Sequence, residues 1–230
     1  MQPNKRLDQF FLADESVINE EVEAAGLSED DVVLEIGAGD GRLTRKIAEK
    51  CRVVAIEIDK KFMPQLKGIK NAEIICDDAL KILRQKREGK IGIEFSKIVS
   101  NVPYSLSKKI ILEILKHEWS IAVLVVQKEF AQKMTTGSKL SLIVEDCCDF
   151  EIIGYVSGGS FMPRAVDSAL VRMKQKKTMD INFWNFLNKI YHRNKNVKNV
   201  AGKCPEKYAK MKVHQLSLDE IKEIYEMNRD

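Results

Sequence analysis

A glycine-rich turn between a strand-like run and a helix-like run most constrains how this chain can fold. The run Val32–Ile36 is apolar and largely β-branched, Gly37, Gly39 and Gly41 follow it, and a helical pattern begins at Arg42. Glycines here let the backbone take positive φ and let a ligand approach the main chain closely. The pattern therefore predicts a ligand site at the carboxyl end of a buried strand.

The first two-thirds of the chain alternates short β-branched runs with helical patterns. Strands are predicted at Val32–Ile36, Arg52–Ile58, Glu73–Cys76, Lys97–Asn101 and Ile121–Gln127, with helices between them near Arg42–Glu49, Lys60–Lys67, Ala79–Arg87 and Ser107–His117. This succession predicts a parallel sheet with helices on both faces. Two further strand-like runs, Glu151–Val156 and Ser168–Met173, have no long helix between them and are expected to pair antiparallel at one edge. The fold class is α/β, Rossmann-like, with a mostly parallel seven-stranded sheet.

The character of the chain changes after Lys177, so we expect a catalytic domain over residues 1–177 and a small helical domain over residues 178–230. Helical patterns in the second part lie near Phe183–Tyr191, Pro205–Met211 and Leu218–Met227. Residues 164–212 carry 13 Lys or Arg and three acids, a net +10, although the whole chain is only +4. This asymmetry indicates a surface that faces a polyanion. An ordinary solvated lysine-rich surface is the alternative.

Two acidic residues near the glycine turn indicate which ligand it holds. Glu57 lies near the end of the second predicted strand, 20 residues after Gly37, where a carboxylate can accept both hydroxyl protons of a ribose. The G-x-G-x-G spacing lacks the third glycine that brings a helix N-terminus to a pyrophosphate. Glu35 places an anion beside the ligand, which would repel a pyrophosphate but suits a sulfonium cation and an ammonium group. The pattern therefore favours S-adenosylmethionine over a dinucleotide.

The third predicted strand leads to Asp77, Asp78 and Ala79. An acid at this edge can accept a proton from the amine of the cofactor's adenine. With two adjacent acids, we expect the other to be a surface residue or a helix N-cap.

The fourth predicted strand runs directly into Asn101, Val102, Pro103 and Tyr104. An adenine N6 is a poor nucleophile because its lone pair is delocalised into the ring. The Asn101 side-chain oxygen and the Val102 carbonyl would hold its two N–H groups and turn the lone pair toward the sulfonium methyl. Pro103 fixes the backbone, and Tyr104 offers a ring on which an extruded base can stack. A simple strand-to-helix turn containing proline is the structural alternative.

Several ordered motifs of this chain together resemble the KsgA/Dim family of ribosomal RNA adenine dimethyltransferases, over nearly the whole length. These are QFFL at residues 9–12, EIGAGDGRLT at 35–44, NVPYSLS at 101–107, QKEFA at 127–131 with Met134, SFMP at 160–163 with Val166 and Ser168, and HRNK at 192–195. The variants at residues 9–12 and 127–131 look archaeal rather than bacterial. Ala165 stands where the family usually has a proline, so the loop carrying Phe161 is expected to be less rigid.

The resemblance implies two methylations on each of two adjacent adenines in a hairpin loop near the 3′ end of small-subunit ribosomal RNA. The cofactor is then S-adenosylmethionine, and its contacts are Gln9, Leu12, Glu35, Gly37, Gly39, Gly41, Glu57, Ile58, Asp78, Ala79 and Asn101. The target base would be held by Asn101, Val102, Pro103 and Tyr104, with Phe161 as a second stacking surface. The RNA contacts expected outside the cleft are Arg164, Arg193, Lys195 and Lys198.

Two other functions share these signatures. A related enzyme of the Erm type methylates one adenine of large-subunit RNA, but the motif at residues 127–134 resembles the housekeeping branch. A non-catalytic nucleic-acid-binding factor could use the same scaffold, although the intact Glu57 and Asn101 argue against lost activity. The partner predicted here is small-subunit RNA within an immature 30S particle, and the enzyme is expected to be monomeric. Neither a metal site nor a membrane segment is predicted, and we expect a cytoplasmic protein.

Overall fold

The computed structural model describes residues 9–192 and 195–229. Its strands, numbered along the chain, are β1 (Phe11–Leu12), β2 (Val32–Ile36), β3 (Arg52–Ile56), β4 (Ala72–Ile75), β5 (Lys97–Asn101), β6 (Ile121–Gln127), β7 (Cys148–Val156), β8 (Phe161–Met162) and β9 (Ser168–Gln175). Its helices are α1 (Glu15–Ala24), α2 (Arg42–Ala48), α3 (Met63–Leu66), α4 (Ala79–Arg87), α5 (Ser107–Ile114), α6 (Lys128–Lys133), α7 (Lys139–Cys147), α8 (Ile181–Ile190) and α9 (Leu218–Glu226).

Seven of these strands form one sheet in the order β4-β3-β2-β5-β6-β9-β7. The five strands from β4 to β6 are parallel, and β9 is antiparallel to both of its neighbours, β6 and β7. The α/β fold and the antiparallel strands at one edge are thus confirmed. Because the chain passes from β4 across β2 to reach β5, the strand order reverses between β2 and β5, and a ligand crevice is expected at their carboxyl ends.

Alternating side chains of the strands supply two apolar layers, one on each face of the sheet. On β2, Leu34 and Ile36 belong to one buried cluster and Val33 to the other. Helices α1 and α2 cover the Val33 face with apolar residues such as Ile18 and Ile47. The opposite layer is covered by α4, α5 and the C-terminal helices. Helices therefore cover both faces of the sheet, and the expected ligand crevice lies at its edge, at the carboxyl ends of β2 and β5.

The C-terminal helices share the second apolar layer with α7. Phe183 of α8 and Ile224 of α9 are in one cluster with Ile143. Asp146 on α7, with 1% of its side chain exposed, lies 2.6 Å from Lys222 and 2.9 Å from Lys177. The C-terminal helices α8 and α9 thus bury their apolar faces against α7, which belongs to the first part of the chain. A domain boundary between residues 177 and 178 stays a prediction.

The predicted elements differ from the structure chiefly at their ends. Lys60–Lys67 is a 3-10 turn over Lys60–Phe62 followed by the short α3, because Pro64 opens a new helix there. Pro205–Met211 was predicted as a helix, but only a 3-10 turn over Glu206–Tyr208 forms. Helices α1, α6 and α7 and the two-stranded pair of β1 with β8 were not predicted.

Candidate active site

A cleft opens at the carboxyl ends of β2 and β5, where the strand order reverses. Fourteen of the residues predicted for the site line it: Gln9, Leu12, Glu35, Gly37, Gly39, Glu57, Ile58, Asp78, Ala79, Asn101, Val102, Pro103, Tyr104 and Phe161. The structure thus brings the predicted donor residues and the predicted base residues to one cavity. Gly41 and three of the predicted RNA contacts, Arg164, Lys195 and Lys198, do not line it.

Gly41 shapes the turn after β2 instead of facing the cleft. Its φ of 79° lies in the left-handed region, and it is the residue before the first turn of α2. A Cβ on Gly41 would lie 2.8 Å from Leu66 Cδ2 and 3.1 Å from Ile69 Cδ1. Only glycine avoids both the backbone strain and this clash, so Gly41 fixes the direction in which the helix leaves the turn.

The Glu57 carboxylate is held in place by backbone N–H groups. Its Oε2 accepts from Gly39 N at 2.8 Å and its Oε1 accepts from Asp59 N at 2.7 Å. Burial raises the pKa of Glu57, and these two hydrogen bonds act in the opposite direction. Each oxygen keeps a further lone pair, so a fixed pair of acceptors faces the cleft where a diol can bind.

The N-terminal segment closes the cleft beside Glu57. Gln9 Nε2 donates to Asp59 Oδ2 at 2.8 Å, and Lys61 Nζ donates to Gln9 Oε1 at 2.7 Å. Asp59 and Lys61 were not predicted, although Asp59 belongs to the same AIEID run as Glu57. These contacts hold the first described residue of the chain against the end of β3.

Glu35 is a buried acid below the glycine turn, with 2% of its surface exposed. Its pKa is raised to about 8, chiefly by burial; the Thr44 hydroxyl acts to lower it, and the carboxylates of Glu57 and Asp40 act to raise it. Its Oε2 has no hydrogen-bond partner among the described residues. At pH 7 the neutral form of the carboxyl is therefore favoured in the ligand-free protein, and a bound cation would favour the anion.

Asp77 and Asp78 both line the cleft but make different contacts. Asp78 caps α4, since its Oδ1 accepts from Leu80 N at 2.7 Å and from Lys81 N at 3.2 Å. Asp77 pairs instead with Lys81 Nζ at 2.6 Å. The acid assigned to the cofactor's adenine is thus also the helix N-cap, and its second oxygen can still accept a hydrogen bond.

Asn101 ends β5 at the wall of the cleft. Beside it, Ser100 Oγ donates to Ile36 O at 2.7 Å, and Val102 N donates to Val125 O at 3.1 Å, so the backbone on either side is fixed. Asn101 Oδ1 is buried and has no hydrogen-bond partner among the described residues. An unpaired buried acceptor is costly, and this one can be satisfied by an N–H group of a ligand.

Three aromatic rings lie together at the mouth of the cleft. Tyr104 and Phe161 have ring centroids 6.5 Å apart at 71°, and the Tyr104 hydroxyl lies 2.8 Å from Ser168 Oγ. Phe10, which was not predicted, stacks on Tyr104 at 5.7 Å and 23°. A base that stacks on this face of Tyr104 has to displace Phe10 or occupy the other side of the ring.

Pairing of β1 with β8 brings the N-terminal segment and the Phe161 loop together. Leu12 faces Phe161 across the two strands, and Phe11 faces Met162. The departure at Ala165 leaves an N–H that proline would lack, and this N–H donates to Gly158 O at 3.0 Å. A hydrogen bond from Ala165 to Gly158 therefore closes the loop that carries Phe161, at a position where a proline ring would otherwise restrict the backbone.

The basic residues divide into paired and unpaired sets. Ion pairs within the described residues use Arg172 with Glu151, Lys176 with Asp149, Lys177 with Asp146 and Lys207 with Glu223. Arg164, Lys195 and Lys198 are exposed and make no ion pair within that part of the chain. Arg193 lies outside the described residues.

Neither a metal cluster nor a membrane helix is found among residues 9–192 and 195–229. No group of three or more His, Cys, Asp or Glu side chains there has the arrangement of a metal site. No helix in these ranges has both the length and the apolar composition that crossing a membrane requires.

Comparison with known proteins identifies the family that this chain resembles. Residues 1–228 match the family model described as ribosomal RNA adenine dimethylase. A protein of Methanococcus aeolicus described as a probable ribosomal RNA small subunit methyltransferase A is 36% identical over 217 residues, covering 86% of this chain and 78% of the relative. A protein of Pyrococcus abyssi with the same description is 33% identical, covering 100% of this chain and 93% of the relative.

Solved structures share the fold at lower identity. A dimethyladenosine transferase from Plasmodium falciparum superposes with a TM-score of 0.80 at 24% identity, covering 95% of this chain and 98% of the other. The 23S rRNA methyltransferase ErmE superposes with a TM-score of 0.71 at 23% identity, covering 94% and 98%. These two similarities concern the fold alone.

Proposed function

The chain belongs to the ribosomal RNA adenine dimethylase family, and on this premise we propose that it dimethylates N6 of two adjacent adenines in the 3′-terminal hairpin loop of small-subunit ribosomal RNA. It is a methyltransferase that uses S-adenosylmethionine. The observation that carries the proposal is the unpaired Asn101 Oδ1 in the same cleft as Glu35 and Glu57.

The residues of the cleft fit the methyl donor. The donor carries positive charge, and the buried Glu35 Oε2 lacks a partner among the described residues. Glu57 offers fixed acceptors for a ribose diol, and Asp78 keeps an oxygen for an adenine amine. When bound, S-adenosylmethionine supplies an electrophilic methyl group on its sulfonium sulfur. Glu35, Glu57 and Asp78 would hold it at three separate points.

The chain's own residues prepare the nucleophile. Asn101 Oδ1 and the Val102 carbonyl would each accept an N–H of the target amine, which draws the nitrogen out of conjugation with the ring. The lone pair is then free to attack, and the amine proton leaves once the nitrogen has become cationic. Positioning and polarisation supply the rate enhancement, with no covalent intermediate.

The function is tested by giving wild-type protein labelled donor with immature 30S particles, mature 30S particles or free 23S RNA. The expected product is N6,N6-dimethyladenosine in the small-subunit RNA of immature particles, measured by mass spectrometry of nucleosides. Methyl incorporation only into 23S RNA would assign the chain to the Erm-type activity. Donor binding with no incorporation into any RNA would favour a non-catalytic RNA-binding factor.

Phe161 is proposed as the second stacking surface for the extruded base. Changing Phe161 to leucine keeps an apolar side chain at a site with 4% exposure but removes the ring. We expect kcat/KM for RNA to fall about 10-fold, because stacking of a base on an aromatic ring contributes roughly 1–3 kcal/mol. Donor affinity should stay within about 2-fold, since stacking concerns the target base. Phe150→Leu on β7, outside the cleft, is the matched control, and equal losses in both variants would refute the stacking role.

Arg164, Lys195 and Lys198 are proposed to contact the RNA backbone, with Arg193 as a further candidate. Each phosphate contact to single-stranded RNA adds about −0.7 to the slope of log affinity against log salt. The Lys195→Gln, Lys198→Gln double variant should therefore lower the magnitude of this slope by about 1.4, because it removes two such contacts. Lys207→Gln is the control, because Lys207 is already paired with Glu223 at 3.1 Å. An unchanged slope in the double variant would remove these lysines from the interface.

We further propose that the enzyme acts in the cytoplasm as a monomer on an immature 30S particle. The support for a monomer is that every residue assigned to the base, and all but Gly41 of those assigned to the donor, line one cleft of one chain. Light scattering of the particle-bound and free enzyme gives the number of copies directly. A stoichiometry of two per particle would contradict the monomer.

A further inference from the structure

A buried acid on α1 has no role in the mechanism described above. Glu21 has none of its surface exposed, and neither of its carboxyl oxygens has a hydrogen-bond partner among the described residues. An apolar side chain would be cheaper at such a position, because an unpaired buried carboxyl loses its hydration without compensation. The neighbours of Glu21 should therefore explain why a carboxyl group is found at this buried position.

The position of α1 puts Glu21 behind the wall of the cleft. Ile18 lies one helical turn before it on the same side of the helix, and Ile18 lines the cleft. Helix α1 packs on β6, and Val125 of β6 is paired with Asn101. Glu21 is buried on this helix, and its carboxyl interacts with the side chain of Asn101.

The groups that face Glu21 identify what it does there. Burial raises the pKa of Glu21 well above its ordinary value, and the Glu35 carboxyl raises it further. The Asn101 side-chain amide acts in the opposite direction, as an N–H donor near a carboxyl oxygen does. In the ligand-free protein the two groups are adjacent but do not meet the geometry of a formed hydrogen bond.

The Asn101 amide has two chemically different ends, and only one of them suits the reaction. Its oxygen can accept an N–H of an adenine amine, whereas its NH2 group would meet that amine donor to donor. In the ligand-free protein Oδ1 is buried and has no partner within the described residues, and a contact with Glu21 at the NH2 end would turn Oδ1 toward the cleft. Glu21 is thus placed to decide which way the amide points.

We propose that Glu21 is a positioning residue whose carboxyl oxygen accepts a hydrogen bond from Asn101 Nδ2 and thereby directs Asn101 Oδ1 at the target amine. The proposal rests on the function proposed above, because it assigns the orientation of that function's central residue. Glu21 touches neither the substrate nor the donor in this account. Its contribution appears in kcat and leaves donor binding unaffected.

Two substitutions separate positioning from packing. Glu21→Leu removes the acceptor and the buried carboxyl together, so we expect kcat to fall roughly 10- to 100-fold, as misplacement of a reacting group does. Donor affinity should stay within about 3-fold and the protein should be at least as stable as wild type, since an unpaired polar group is gone. Glu21→Gln keeps a carbonyl oxygen and should retain kcat within about 3-fold. Glu23→Leu, at an exposed position of the same helix, is the control and should match wild type.

A second measurement needs no RNA. The Asn101 side-chain NH2 resonances, identified by their absence in Asn101→Ala, should shift in Glu21→Leu because the adjacent carboxyl is gone, and should stay unchanged in Glu23→Leu. Full activity in Glu21→Leu, or unchanged Asn101 resonances, overturns the positioning role. Failure of wild-type protein to methylate any RNA counts against the proposed function, and the resonances still decide the role of Glu21.

Discussion

Replacing Asn101 with alanine is expected to lower kcat for methyl transfer by about 100- to 1000-fold, the range seen when one preorganised hydrogen-bonding group is removed from an active site. The loss follows because only the Val102 carbonyl would then hold the amine, and the nitrogen lone pair would stay in the purine ring. Asn101 Oδ1 is buried without a partner among the described residues, so its removal breaks no hydrogen bond of the oxygen. Donor affinity, measured by calorimetry, should therefore stay within about 3-fold of wild type.

The control for this substitution is Asn182→Ala, at an exposed asparagine of α8, which should transfer methyl groups at the wild-type rate. Parallel losses of donor affinity and kcat in Asn101→Ala would mean that the residue supports the cleft and has no special part in catalysis. A wild-type kcat would remove Asn101 from the mechanism altogether.

Replacing Glu35 with glutamine is expected to weaken donor binding by about 30-fold or more while stabilising the ligand-free protein. The donor's positive charge is compensated by the ionised Glu35, and truncating one partner of a buried charge pair costs roughly 2–5 kcal/mol. The carboxyl is neutral before binding at pH 7, because burial raises its pKa to about 8. Donor binding should therefore release about one proton at pH 7 in wild type, and almost none in Glu35→Gln.

The pH dependence of stability checks the same group without ligand. The folded-state pKa of about 8 lies above the ordinary value of 4.5, so the folded state binds more protons than the unfolded state between these two values. The free energy of unfolding should fall as pH rises from about 4.5 to 8, by roughly 3 kcal/mol at pH 7. The Glu35→Gln variant lacks this contribution, and its stability curve should be flatter in that window.

Calorimetry in two buffers of different ionisation enthalpy counts the released proton, and denaturation at several pH values measures stability. Donor binding without proton release in wild type would mean that Glu35 is already ionised in the empty cleft. Glu49→Gln, at an exposed residue that follows α2, serves as the control for the loss of a surface carboxylate. This control should bind the donor with wild-type affinity and release the same proton.

The parallel core of the fold was predictable because its strands follow a simple rule. The β-branched run Lys97–Asn101 and the run Ile121–Gln127 were predicted with the bounds that the structure gives, since strands buried on both faces read as continuous apolar runs. The shared location of the residues proposed to bind the donor was predictable for a related reason. The carboxyl ends of parallel strands meet at one edge, so Glu57 and Asn101 had to share it.

Helix α1 escaped prediction because an acid occupies its inner face. Ile18 and Val22 mark the buried side, but Glu21 interrupts the apolar pattern that a helix normally shows. The same residue could not be connected with Asn101 from the sequence, because 80 positions separate them and only the packing of α1 on β6 joins them. The only sign of Glu21 in the sequence was a break in the apolar periodicity of α1, and such a break has many possible causes.

The aromatic rings at the mouth of the cleft show a second limit to what could be predicted from the sequence. Tyr104 and Phe161 were predicted from their motifs, whereas Phe10 lies in an N-terminal segment without any periodic pattern. Its stacking on Tyr104 depends on the pairing of β1 with β8, two strands of two residues each. Contacts of this kind are fixed by tertiary structure, and local propensity gives no sign of them.

The most direct test of the central claim is a crystal structure of the protein with S-adenosylhomocysteine and an RNA hairpin that carries the two adjacent adenines. We expect one adenine in the cleft, with its N6 about 3 Å from both Asn101 Oδ1 and the Val102 carbonyl oxygen. Its ring should stack on Tyr104, with Phe10 moved aside or against the opposite face. An adenine bound with N6 away from Asn101, or an Asn101 amide whose NH2 group faces the base, would contradict it.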